Sequence, residues 1–232
     1  MILFKKKIVV TGGEGRFASV LKKTKSNYDY LFPSKKTLNI LNVNSIRKYI
    51  QKYKPKYLLH CAGLSRPMII HETNFKKSID LNIIGTANVT KICSEYNVKL
   101  IYFSTGYVYE GKIGNYKETS PVLPINKYAW SKLGGECAVK LYKNSLILRI
   151  IMCEKPFLHK SAFKDVKTNF IFHEDVAKFI PKILNKKGIL NVGGKIQSVY
   201  NFAKKYNKFI KKTSGKKVFP PNPSMNITKL KK

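Results

Sequence analysis

Acid is what this chain lacks most. Twelve Asp and Glu stand against 45 Lys and Arg, a net charge of +33, and past Asp175 there is no acidic residue at all. Such an excess admits binding to a polyanion. Arginine is scarce too: Arg16, Arg47, Arg66 and Arg149 are the whole set, whereas readers of bases and phosphates use arginine forks alongside lysine. The lysines are spread over most of the sequence, so they read as a solvated surface with weak, salt-sensitive attraction for polyanions at the C-terminal end, and no specific nucleic-acid partner is expected. No apolar run approaches the ~18 residues of a membrane span, so no membrane partner is expected either. The first seven residues, Met-Ile-Leu-Phe-Lys-Lys-Lys, lack the ordered basic, apolar and small-residue regions of a secretory leader. Cys61, Cys93, Cys137 and Cys153 form no CxxC pair and have no histidine at zinc spacing. Reduced thiols, no metal and a cytoplasmic location are the expectation.

What is present suffices for a core: 44% of the 232 residues are hydrophobic, enough for one domain with a small appendage. The apolar run Ile8-Val9-Val10 leads straight into Thr11-Gly-Gly-Glu-Gly-Arg-Phe-Ala18. Glycines in that pattern turn the chain sharply out of a strand, let backbone N–H groups approach a pyrophosphate, and leave room for a helix against a strand. Ala18 occupies the last position, where a small residue is enough. An ordinary tight turn carries the same signature, so the loop needs support from the rest of the chain.

Downstream the pattern alternates. A short helix over 16–23 is followed by a strand over 28–32 and by Ser34, Lys35 and Lys36, where a site for NAD would place an acid on the ribose 2′-hydroxyl. A lysine there favours a 2′-phosphate, hence NADP(H) rather than NAD(H), and Arg16 could add a second charge; Asp29 reads as a surface residue. Residues 38–42 make a short strand or turn, Asn44 caps a helix over 45–53 that Pro55 ends, and 57–63 is a strand covered on both faces in which His60 is a packed core histidine. A long helix over 74–96 crosses to a strand over 100–104. Such strict alternation predicts a doubly wound α/β sheet. Pro181 predicts a kink or early stop in the helical run 175–184.

Ser104-Thr105 follows the fourth strand directly, and ligands in such sheets bind beyond strand carboxyl ends. On the predicted helix 126–142, Tyr128 and Lys132 are four apart and share one face. A neighbouring ammonium should bring the Tyr128 phenol below its ordinary value of about 10, as a proton donor near neutrality requires.

Together these motifs resemble the extended short-chain dehydrogenase/reductases, and within them the dTDP-4-dehydrorhamnose reductases and related nucleotide-sugar reductases. The residues that carry the likeness are Thr11-Gly-Gly-x-Gly-x-x-Ala18, His60-Cys-Ala-Gly63, Asn82-x-x-Gly85-Thr86, Ser104-Thr-Gly-Tyr-Val-Tyr109 and Tyr128-x-x-Ser-Lys-x-x-x-Glu136, with Asp175-Val-Ala, Asn191-Val-Gly-Gly194 and Met225-Asn-Ile-Thr-Lys-Leu later. The resemblance implies a Rossmann-like fold, with a dinucleotide-binding portion over 1–150 that holds the catalytic residues. Over 151–232 it implies a small, abbreviated substrate-binding portion interleaved with the same fold. It implies reduction of a 4-keto-6-deoxy nucleotide sugar, Thr105 holding the carbonyl oxygen, Tyr128 donating the proton and Lys132 holding the nicotinamide ribose. Thr11, Gly12, Gly13, Gly15, Arg16 and Phe17 would cradle the pyrophosphate, Ser34 and Lys35 would take the 2′-phosphate, and Asn39 the adenine; Ile40, Cys61, Ala62, Gly63 and Asn82 complete the implied cofactor site. Relatives often pair through a four-helix interface, so a homodimer is the implied assembly.

Two departures stand out. Gly106 occupies a place where such reductases often carry aspartate, and only 18 residues separate Arg149 from a predicted strand at 168–172. The alternatives are an NAD-dependent nucleotide-sugar epimerase and a catalytically silent, cofactor-binding regulatory subunit.

Overall fold

Strand residues sort by parity onto two cores. Ile8, Val10, Tyr57, Leu59, Ile101, Phe103, Leu146, Leu148 and Ile150 point to one face, and Val9, Leu58, Leu100, Tyr102 and Ile147 to the other. Alternation in which both sets are apolar demands cover on both sides, and helices supply it. In the computed structural model, which describes residues 5–216 and 218–231, the elements run β1 (Lys7–Thr11), α1 (Arg16–Lys22), β2 (Asp29–Leu31), α2 (Val43–Tyr53), β3 (Tyr57–His60), α3 (Ile69–Thr73) and α4 (Phe75–Ser78). Then come α5 (Gly85–Glu95), β4 (Lys99–Phe103), α6 (Lys127–Lys140), β5 (Ser145–Ile150), α7 (His173–Ile183) and β6 (Gly188–Val192). Residues 1–4, part of the stretch in which no leader is read, lie outside the described set.

The six strands are parallel in the order 2-1-3-4-5-6. α1 and α7 pack on one face, and α2 with α5 on the other. The strand order reverses between β1 and β3, and the loops leaving those two strands border the crevice where ligands of such folds bind. Beyond β5, three two-stranded pairs (152–153 with 171–172, 161–163 with 211–213, and 167–168 with 197–198) enclose a separate cluster around Phe157, Phe172 and Phe202. No helix among the described residues is long and apolar enough to cross a membrane.

Several local expectations are corrected. Asn42, not Asn44, caps α2: its Oδ1 accepts from Ser45 N at 3.0 Å, while Asn44 Oδ1 accepts from Arg47 Nη1 at 2.9 Å. Of the strand or turn expected over 38–42, the structure takes the turn, with Leu38 and Ile40 buried. The long helix over 74–96 is broken: Asn74 caps α4, and Ile79–Ile84 is a π turn leading into α5. The strand expected at 168–172 is two short pieces. The break expected at Pro181 arrives only at Ile183, because one missing N–H costs a single bond while Val176, Ala177, Ile180 and Ile183 bury the helix's inner face.

α6 lies close enough to the sheet that a Cβ at Gly135 would run into Tyr102 Oη and meet the Asn82 carbonyl at 2.7 Å. Tyr102 Oη also donates to the Lys132 carbonyl, 3.1 Å away. Gly135→Ala should therefore cost about 1–3 kcal/mol by overpacking, read as a lower urea midpoint. An unchanged midpoint would show that α6 can shift outward freely.

Candidate active site

Two strand ends meet at the crevice. Thr11 closes β1 and His60 closes β3. Thr11 Oγ1 lies 2.8 Å from His60 Nδ1 and accepts from Ala62 N at 3.2 Å. Burial, with the Lys132 charge adding to it, pulls His60 down to about 3, so it is a neutral core histidine. Gly12 has φ +69°, and a Cβ there would sit 2.9 Å from Ala62 Cα. That crowding requires glycine, as does Gly13, whose Cβ would lie 2.6 Å from the Phe32 carbonyl carbon. Gly15 N donates to Gly12 O at 2.8 Å, closing the loop at the start of α1.

A cleft of about 780 Å³ opens from this loop. Gly12, Gly15, Arg16, Phe17, Cys61 and Gly63 line it together with Thr105, Tyr128 and Lys132. Ser34, Lys35 and Asn39 line a second hollow of about 1040 Å³, beside Lys36, Lys48 and Lys52, and Glu14 borders both. The remaining candidates face neither space. Thr11, Gly13 and Ala62 shape the loops, and Ile40 is a buried side chain under Gly85. Asn82 is a brace: it accepts from Leu64 N at 2.7 Å and donates to Leu64 O at 2.9 Å and Ser131 Oγ at 2.8 Å, holding the Gly63 loop against α6. The residues present fit a dinucleotide, since the glycine cradle and the hydroxyl–phenol–ammonium set open onto one crevice and backbone fills the places Cβ atoms would take.

α6 delivers the phenol and the ammonium. Asn126 caps it, accepting from Ala129 N at 2.8 Å, so Tyr128 sits in the first turn and Lys132 one turn on. The expected acidification of Tyr128 is overturned: burial raises the phenol to about 12, against the opposing pull of the Thr105 hydroxyl and the charges of Arg66 and Arg16. Lys132 does not supply the effect, for its ammonium lies over the Tyr102 ring, 4.2 Å from the centroid. Burial pulls Lys132 down to about 8, opposed by Cys61 and Glu136. Tyr128 is thus a protonated phenol throughout the neutral range.

Arg16 is also placed differently from expectation. It pairs with Glu154 at 2.7 Å and donates to Ser65 Oγ at 3.2 Å, inside the main cleft and away from the hollow lined by Lys35. A Cβ at Gly106 would meet the Ile151 and Met225 side chains at 2.8 Å, so an aspartate there would require those side chains to shift.

Glu14, Arg66 and Glu154 escaped the sequence reading, as did the network under Thr105. Ser104 Oγ donates to Glu136, whose carboxylate takes Arg149 Nη2 at 2.8 Å and Nε at 3.2 Å; both charged side chains are about 95% buried. A charged residue inside the apolar strand β5 was the available signal. Arg149 Nη1 also donates to Tyr109 Oη at 2.9 Å. Among the described residues no group of His, Cys, Asp and Glu is gathered for a metal ion.

Residues 6–153 match the family profile described as RmlD substrate binding domain. Methionine adenosyltransferase 2 subunit beta of Xenopus laevis is 32% identical over 143 residues, 58% of this chain and 42% of that protein. The dTDP-4-dehydrorhamnose reductase of Aggregatibacter actinomycetemcomitans is 27% identical over 148 residues, 62% of this chain and 50% of that protein. The matched segments thus span half or less of these curated relatives. The crystal structure of dTDP-4-dehydrorhamnose reductase from Bacillus anthracis in complex with NADP superposes with a TM-score of 0.89, covering 100% of this chain and 92% of that one at 23% identity, which shows a shared fold.

Removing the Glu136 carboxylate strands a buried guanidinium. Glu136→Ala should lower unfolding free energy by about 3–5 kcal/mol, measured by denaturant titration. A loss below about 1 kcal/mol would mean that water reaches Arg149 more freely than its burial implies.

Proposed function

We propose a function for this chain on one premise: it belongs to the RmlD substrate binding domain family. It is a reductase that converts the ketone of a 4-keto-6-deoxy nucleotide sugar to an alcohol. The observation that carries this reading is the convergence of Thr105, Tyr128 and Lys132 on the cleft that begins at the glycine loop.

When bound, a nicotinamide cofactor supplies hydride to the carbonyl carbon. Gly12, Gly15 and their backbone neighbours hold the pyrophosphate. Thr105, fixed at the end of β4, donates to the carbonyl oxygen, and Tyr128 hands that oxygen its proton. A phenol near 12 keeps its proton until the oxygen develops negative charge, and the cations around it then share the charge. Lys132 binds the nicotinamide ribose. Residues 1–150 carry this machinery, and residues 151–232 shape the sugar side. Leu158, Lys160 and Phe163 from that portion line the same cleft.

The cofactor is NADP(H). Lys35, Lys36, Lys48 and Lys52 around the second hollow favour a 2′-phosphate, with Glu14 as the one acid among its lining residues. Lys35→Glu should cut the NADPH-over-NADH preference in kcat/KM at least about tenfold; an unaltered ratio would place the 2′-phosphate elsewhere.

The test of the reaction is consumption of NADPH with dTDP-4-keto-6-deoxyglucose, alone and with a 3,5-epimerase present, and with the UDP counterparts. Tyr128→Phe should reduce turnover by roughly 10²–10⁴ while leaving cofactor affinity nearly intact. Wild-type turnover in that variant would remove Tyr128 from the mechanism. A second reading has one observation in its favour: the 32% identical relative is named as a subunit of methionine adenosyltransferase. In that reading the chain binds cofactor and serves a partner, and no keto-sugar would be turned over.

A further inference from the structure

One wall of the cleft is closed by three charged side chains from distant parts of the chain. Glu154 follows the short strand Met152–Cys153. Its Oε1 accepts from Arg16 Nη1 at 2.7 Å, and its two oxygens accept from Arg66 Nη1 at 3.0 and 3.3 Å. Arg16 belongs to α1, Arg66 to the loop after β3, and Glu154 to the segment after β5. All three line the cleft that holds Thr105 and Tyr128. The carboxylate is 18% exposed and the guanidinium side chains are 48% and 42% exposed, so the cluster sits at the mouth with its acid inward.

The other groups near Tyr128 carry little fixed charge. On its own helix, Lys127 pairs with Glu72 at 2.8 Å, and Lys132 lies on the Tyr102 ring. His71 of α3 stacks edge-on at 5.1 Å, shares a hydrogen bond with Ser78, and burial lowers its value, so it is neutral. Tyr102 and Tyr107, from β4 and its loop, are raised by burial and stay protonated. Cys61 and Cys153 are raised by burial, and His173 near Glu154 is lowered by it. Lys132 sheds its proton as pH rises through about 8. A guanidinium does not, so above that pH Arg66 and Arg16 remain the cations that act on the phenol, in a cleft whose lining also includes Glu14 and Lys160.

We propose that Arg66 and Arg16, held on Glu154, are positioning residues that set the electrostatic potential at the Tyr128 hydroxyl, with Glu154 as their counterweight. The inference rests on the reading of Tyr128 as proton donor and assigns the tuning of that donor to a group other than Lys132. Two guanidinium charges and one carboxylate leave a net single positive charge. Loss of one arginine makes the cluster neutral, and loss of the carboxylate charge doubles its positive charge. The two changes must therefore move the phenol in opposite directions.

Fluorotyrosine placed at position 128 and followed by fluorine NMR across pH reads the hydroxyl directly, with no turnover required. Arg66→Gln should raise the ionisation midpoint by about half to one pH unit and Glu154→Gln should lower it by a similar amount, while Arg66→Lys stays near the parent. Arg16→Gln, which should move as Arg66→Gln does, covers the case in which that variant fails to fold. Midpoints that do not move, or that move together for the arginine and glutamate variants, overturn the proposal. Failure of the parent protein to consume NADPH with any keto-sugar sinks the reductase reading instead, and the titration still decides the electrostatics.

Discussion

The constraint on which the site depends is the closeness of two loops at the place where strand order reverses. A Cβ on Gly12 would lie 2.9 Å from Ala62 Cα, and the loops after β1 and β3 touch there with no side chain between them. Thr11 fixes the contact through His60 and the Ala62 amide. From that junction the cleft opens toward the carboxyl ends of β4 and β5, which present Thr105 and lead into Glu154. Leu64, next to Gly63, is held in turn by Asn82, which lies in the π turn between α4 and α5. An extra backbone residue in a helix is thus tied to the floor of the site.

The sheet was readable because its strands are short apolar runs ended by glycine or turn residues, and burial on both faces leaves few other ways to satisfy them. The glycine loop and the Tyr128–Lys132 pair were readable because their chemistry is local, within a turn or two of backbone. Helix ends were less so. Sequence placed the cap of α2 at Asn44, and the turns before it bring Asn42 to that position instead. The clasp at the cleft mouth was not readable at all: Arg16 and Glu154 are 138 positions apart, and Arg66 and Glu154 are 88 apart. In a chain with 45 basic residues, no pattern marks which of them find a partner. The same holds for Tyr128. Spacing gave it a lysine neighbour, but burial raises the phenol further than any nearby cation lowers it, and Lys132 settles on Tyr102.

The charge distribution divides into two uses. Most lysines are solvated, and two charged clusters are paired: Arg149 with Glu136, buried beneath the loop that carries Thr105, and Arg16 and Arg66 with Glu154 at the rim of the cleft. The first pair anchors Ser104 and hence the strand end that presents Thr105. The second borders the space a substrate enters. Scarce arginine is concentrated where geometry matters, because a planar fork holds a carboxylate in one orientation while an ammonium does not.

The proposed hydride reduction at the sugar carbonyl, with the proton drawn from the protein side, can be followed by reducing the keto-sugar with NADPH deuterated at the transferring position of the nicotinamide, with mass spectrometry and NMR of the product. One deuterium is expected on the former carbonyl carbon of the sugar, with an equivalent amount of NADP formed. Recovery of unlabelled sugar with the cofactor unconsumed would contradict it.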